Sequence, residues 1–162
     1  MKNYGFIRTA AAVPVVRIAD TEHNAAEICR LAGEAFGKEV SLVVFPELSL
    51  TGYSCGDLFA MNPLVKGAED GIKKILEFSR GKAMTIVVGA PVPYRSRLYD
   101  CAVVIRNGNV KGLVPKTYIP SSESRWFASG SDFLSPDVRN DGALLNNGKD
   151  HVREGYCGEI RY

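Results

Sequence analysis

The sequence predicts an α/β domain built around a mixed sheet, and three observations carry that expectation. Short apolar runs of strand length alternate with segments of helical periodicity over the first half of the chain. Asn107-Gly108 then separates two further apolar segments, and both residues tolerate the positive φ that a two-residue hairpin turn demands. The 162 residues are 46% hydrophobic and 23% charged, a balance that builds the core of one ordinary domain or part of a larger one.

Residues 6–16, FIRTAAAVPVV, are apolar and partly β-branched, which predicts a buried strand. Asp20-Thr21 offers an N-cap for a helix over TEHNAAEICRLAGEAF, where Ala25, Ile28, Cys29, Leu31, Ala32, Ala35 and Phe36 recur at helical spacing and Gly37 is the stop. SLVVF at 41–45 is a second buried strand, followed by a shaped loop over 46–60 with two glycines. Asn62-Pro63 caps a second helix running to about Ser79, with Leu64, Ala68, Ile72, Ile75 and Leu76 on one face. MTIVVGAPV at 84–92 is a third strand, expected to end at Pro91 and Pro93, and the hairpin around Asn107-Gly108 follows. Beyond residue 130 the pattern fades. Residues 131–162 carry turn formers throughout and read as a loop-rich tail on a domain of residues 1–130.

Charge and cysteine usage narrow the function classes. A net charge of +2, with Lys73-Lys74 as the longest basic cluster, argues against a nucleic-acid partner. The cysteines at 29, 55, 101 and 157 form no CxxC pair, and His23 and His151 are far apart, so no metal site is expected. The N-terminal apolar patch is broken by Arg8, Pro14 and Arg17, unlike a signal peptide, and no run reaches the roughly 18 apolar residues of a membrane helix. A reduced, cytoplasmic protein with no membrane partner is the expectation.

Three groups stand where α/β folds concentrate chemistry, just past the carboxyl ends of strands. Glu47 follows SLVVF after one proline, Lys116 follows GLVP, and Glu123 lies in ESRWF beside an arginine and two aromatics. Taken alone, a charge at a strand end is most often simply solvated, because such groups are seldom buried unless paired. Cys29 and Cys101 read as small core residues, and Tyr53, Trp126 and Phe127 as core or rim aromatics.

VVFPELSLTGYSCGDL resembles the first signature of the nitrilase, or carbon–nitrogen hydrolase, superfamily, and GLVPKTYIP resembles its lysine segment. The combination of TGYSCGDLF, KTYIP and ESRWF is similar to the N-terminal glutamine amidase domain of glutamine-dependent NAD synthetases, over about residues 4–130. The resemblance implies the N-terminal part of a nitrilase-like αββα sandwich and a thioester mechanism with no cofactor in this domain. Glu47 matches the family's general base, Lys116 the lysine that stabilises the oxyanion, and Glu123 a glutamate that supports the lysine. Tyr53 and Phe127 become candidate walls of a glutamine pocket. The implied partners are glutamine or another small amide and an ATP-dependent NAD synthetase module, in a homo-oligomer.

Two features depart from the family pattern. Only Ser121-Ser122 separate KTYIP from ESRWF, where relatives are a few residues longer, which is expected to disturb the placement of Glu123. The nucleophile belongs after an apolar strand in a Cys-x-Glu/Asp turn. Cys157-Gly158-Glu159 echoes that turn, but GKDHVREGY before it is not an apolar strand. Cys157 is therefore either the nucleophile or a free thiol near the chain end, and Cys55 a weaker candidate because it shares the loop of Glu47. Three functions stay open: a glutamine amidase, an amidase acting on another small amide, and an inactive fragment serving as an interaction module.

Overall fold

Helix α1, Thr21–Gly37, begins where Asp20 accepts a hydrogen bond from the His23 N–H at 3.0 Å, closing one of the free donors of the first turn. Its buried face, Asn24, Ala25, Ile28, Ala32 and Ala35, follows the expected spacing. Helix α2, Asn62–Ser79, carries a proline in its first turn and buries Leu64, Ala68, Ile72 and Ile75. These faces and the sheet form one apolar core, in which Ile28, Ile75, Ile86, Val88, Val103 and Ile105 are fully buried. Each such side chain contributes about 1.5–3 kcal/mol relative to exposure.

The computed structural model describes residues 5–133 of the chain. Its sheet has five strands in sequence order: β1 Thr9–Ala11, β2 Leu42–Val44, β3 Thr85–Tyr94, β4 Arg97–Arg106 and β5 Asn109–Pro115. The first three are parallel and the last three antiparallel, so the sheet is mixed. Successive crossovers in one direction put α1 and α2 side by side on one face. Ile86, Val88 and Ala90 point into that face, while Val44 on the other side of the sheet is 40% exposed. A single helical turn, α3 Gly130–Phe133, ends the described part. No helix among the described residues is long and apolar enough to cross a membrane.

Two strand expectations need correction. The first strand is three residues long rather than eleven, and Phe6, Ile7, Val13 and Val15 are exposed. It pairs with only three residues of β2, and Pro14 has no N–H to extend the ladder. The third strand runs through Pro91 and Pro93 to Tyr94. Val87 and Gly89 accept hydrogen bonds from Phe45 and Leu50, so alternate residues of β3 face the β2 side. Pro91 and Pro93 share that parity, and their missing donors fall beyond the end of β2. The β3–β4 ladder, continuous from Ile86↔Ile105 to Tyr94↔Arg97, loses nothing.

Both hairpins use two residues of positive φ. Asn107 and Gly108 (49° and 76°) close β4 onto β5 as expected, while Arg95 and Ser96 (46° and 65°) close β3 onto β4 without glycine or asparagine. Buried Asn24 ties the connection after β1 to the loop after β2. Its Nδ2 donates to the carbonyls of Arg17 at 2.8 Å and Leu50 at 3.1 Å, and its Oδ1 accepts from Arg17 N–H.

Gly89 sets the distance between β3 and the segment after β2. A Cβ there would lie 2.4 Å from Leu48 N, 2.5 Å from Pro46 O and 2.7 Å from Glu47 C, all backbone atoms. Gly89→Ala is expected to cost about 1–3 kcal/mol, as overpacking does. Gly112→Ala, where the new methyl meets nothing within 4 Å, is the control. Urea midpoints of the two variants check this, and equal midpoints would contradict it.

Candidate active site

Glu47 stands on a tight turn between β2 and the 3-10 segment Tyr53–Ala60. Phe45 N–H still bonds to Val87 O at 2.9 Å, and Pro46 then ends the pairing. Ser49 N–H returns to Pro46 O, and Thr51 and Gly52 N–H to Leu48 O, with Leu48 at a φ of 50°. Phe45, Leu48 and Leu50 are buried, so the turn is anchored by its apolar neighbours while the Glu47 carboxylate is projected outward. That accounts for a carboxylate placed directly after an apolar run and a proline.

Lys116 follows β5 and is held by its backbone on both sides. Its N–H donates to Asp100 O at 2.8 Å, and its carbonyl accepts from Gly130 N–H at 2.8 Å. The Lys116 ammonium lies 2.6 Å from Glu47 Oε1 and 2.7 Å from Glu123 Oε2. Glu123 sits in a helical turn, accepting at its carbonyl from Trp126 and Phe127 N–H, and is 5% exposed. Its other oxygen, Oε1, accepts from the Tyr53 hydroxyl. Trp126 Nε1–H donates to Asp57 Oδ1 at 3.0 Å and its ring lies against Phe59, which clamps the Glu123 turn onto the 3-10 segment.

The charges are mutually adjusted. Burial alone would lower the proton affinity of Lys116, but hydrogen bonds to Glu123 and Glu47 and their charges outweigh it, so the ammonium is held above its ordinary range. Interaction with the neighbouring Asp100 carboxyl, then the hydrogen bond from Lys116, holds the Glu47 carboxyl below the usual carboxylate range against the opposing effect of burial. Hydrogen bonding to Glu123 raises the Tyr53 phenol, which therefore stays a donor. Asp100, in the middle of β4 and 3% exposed, is pushed up to about 8, first by burial and then by the neighbouring Glu47 carboxylate. Carboxylate oxygens of Glu47, Asp100 and Glu123 lie within 4.8 Å of one another, a set that could hold a cation, and the Lys116 ammonium already contacts two of them.

Glu47, Lys116, Glu123 and Tyr53 thus come together, and the short Ser121-Ser122 connection still delivers Glu123 to the lysine. Phe127 is 4% exposed and packs edge-on against Phe59 at 4.8 Å, in a core cluster with Leu48, Cys55 and Leu64. It supports the site from beneath. Cys55 is buried, its thiol directed at the carbonyls of Thr51 and Gly52, and burial raises its proton affinity. Cys157 lies outside the described residues. Asp100 escaped the sequence reading, although an acid inside the apolar run LYDCAVV was a signal, because buried carboxyls are rare without a partner.

Residues 8–139 match the family described as carbon-nitrogen hydrolase. The chain belongs to that family. Among relatives, the glutamine-dependent NAD(+) synthetase of Mycobacterium leprae is 39% identical over 132 residues, covering 79% of this chain and 19% of that protein. The crystal structure of a glutamine-dependent NAD(+) synthetase from Cytophaga hutchinsonii superposes with a TM-score of 0.68 at 30% identity, over 76% of this chain and 22% of that one. An amidase from Nesterenkonia sp. shares the fold, with a TM-score of 0.67 at 23% identity over 76% of this chain and 48% of that one. The chain spans about a fifth of the length of the synthetases it matches. The nitrilase-type α/β fold expected from the sequence is the one found, and Glu47, Lys116, Glu123, Tyr53 and Phe127 lie within the residues that the family match covers, whereas Cys157 lies beyond them.

Replacing Lys116 by methionine leaves Glu47, Asp100 and Glu123 crowded without their cation. Lys116→Met is expected to lower stability at pH 7 by about 1.5–3 kcal/mol, the range for hydrogen bonds to charged groups. The loss should shrink below pH 5 as the carboxyls take up protons. Thermal melts at pH 4.5 and 7 measure this, and an unchanged or larger loss at low pH would contradict it.

Proposed function

We propose that this chain carries the acid–base half of an amidase site that hydrolyses the side-chain amide of glutamine and supplies ammonia to an ATP-dependent NAD synthetase module. One observation carries the reading: a single ammonium is held between two carboxylates, one on the turn after β2 and one in the turn after β5. A base and an oxyanion-stabilising cation side by side are what thiol attack on an amide requires. The relatives named above, glutamine-dependent NAD(+) synthetases, favour glutamine over other amides.

In this reading Glu47, held ionised, removes the thiol proton as sulfur bonds to the amide carbon. The carbonyl oxygen takes the negative charge and faces the Lys116 ammonium. Collapse of the tetrahedral intermediate breaks the C–N bond, and Glu47 returns its proton to the leaving nitrogen as ammonia. Water then adds to the thioester, giving up a proton to Glu47, and the acid and the free thiol are released. Glu123 holds the ammonium in line, and the exposed Tyr53 ring stands at the rim as a substrate contact. Cys157 is the thiol this reading assigns as nucleophile. The chemistry needs no cofactor from this domain.

Ammonia release from glutamine by the full chain, followed with a coupled assay, tests the proposal. Glu47→Gln and Lys116→Ala are each expected to lower kcat by about 100-fold or more while the fold is kept, and Cys157→Ala to abolish turnover. Release from other small amides but not from glutamine would point to a different amidase. No release from any amide, with no thioester adduct by mass spectrometry, would leave an inactive interaction module.

A further inference from the structure

The proposed mechanism makes no use of Asp100, yet this is a carboxyl deep in the sheet beside the base. It is 3% exposed, and its Oδ2 is buried with no donor in reach among the described residues. The Lys116 ammonium bonds to Glu47 and Glu123. Carboxylate oxygens of both Glu47 and Glu123 lie within 4.8 Å of it, and Glu123 already accepts from Lys116 and Tyr53, which leaves Glu47 as the acceptor open to Asp100 among the described residues. Two carboxylates are both acceptors, so they attract only through a proton, and charges so close in a partly buried site disfavour double ionisation. We propose that Asp100 is a positioning residue, a protonated carboxylic acid that donates a hydrogen bond to Glu47 and aims that carboxylate, ionised, at the thiol and substrate.

The placement of the proton follows from the surroundings of each acid. Glu47 is half exposed and bonded to the ammonium, which stabilises its anion, and Glu123 accepts from both the ammonium and Tyr53. Asp100 is almost wholly shielded from solvent and makes no salt bridge of its own among the described residues, and its side chain comes from β4, whose ladder holds it fixed. The charged and titratable groups facing it are Glu47 from the turn after β2, Lys116 from the end of β5, and Glu123 with Tyr53 behind it. Its upward shift to about 8 agrees with this assignment. Above that pH, loss of the proton turns the hydrogen bond into a repulsion and swings Glu47 out of line.

The role rests on reading Glu47 as a base, whereas the proton on Asp100 does not, and the test separates the two. In the full chain, carboxyl carbon-13 NMR is expected to show Asp100 protonated at pH 6.5 with a midpoint near pH 8, a resonance absent from Asp100→Asn. An Asp100 carboxyl already ionised at pH 6 would overturn the inference whatever the activity. Because this acid binds its proton more tightly folded than unfolded, its contribution to stability is complete below about pH 4 and is lost as pH rises towards about 8. The melting temperature of Asp100→Asn should lack that decline. In ammonia release, Asp100→Asn, which keeps a donor, should be at least tenfold more active than Asp100→Ala and lack the alkaline limb near pH 8 seen in the parent chain. Equal kcat in the two variants would overturn the positioning role. A protonated Asp100 in a chain that releases no ammonia would instead sink the amidase reading alone.

Discussion

The Lys116 ammonium, with a carboxylate oxygen 2.6 Å away on one side and another 2.7 Å away on the other, joins the segment after β5 to a turn 69 residues earlier in the chain. Three stretches meet there. One is the turn after β2, one the end of β5, and one the turn that carries Glu123. Each would expose a like-charged or unpaired group without the others, since a partly buried charge is tolerated only with its partner. The geometry of the site is therefore a property of the whole sheet and cannot be assigned to a single loop.

Several unobtrusive contacts hold those stretches in register. Gly89 allows the backbone of residues 46–48 to rest directly on β3, Asn24 ties the same loop to α1, and Asp57 with Trp126 clamps the Glu123 turn. The Asp100 carbonyl fixes the Lys116 backbone while its carboxyl faces Glu47. One strand residue thus touches both the cation segment and the base.

Much of this was legible in local sequence signals. The helix limits fall close to Asp20, Gly37 and Asn62-Pro63, although Asn62 is the first helical residue and the N-cap is Met61, which makes no side-chain cap bond; Asp20 and Asn107-Gly108 act as expected because capping and turn chemistry are short-range. Glu47, Lys116 and Glu123 were named from motifs, but their convergence is a matter of sheet order, which spacing does not encode. What escaped was non-local. Phe6–Val16 reads as a strand until its partner proves three residues long, and Pro91 and Pro93 read as stops until their parity places them on the unpaired side of β3. The Arg95-Ser96 turn has no sequence mark, and the burial of Asp100 depends on elements 50 or more residues away in the case of Glu47.

Gly89 has a thermodynamic side as well. With no side chain between the two backbones, the segment carrying Glu47 is ordered when β3 forms, long before any small molecule arrives. The loss of chain entropy needed to align base and ammonium belongs to folding, so an incoming amide meets dipoles already oriented and need not reorganise them. The freedom left at this site belongs to the visitor.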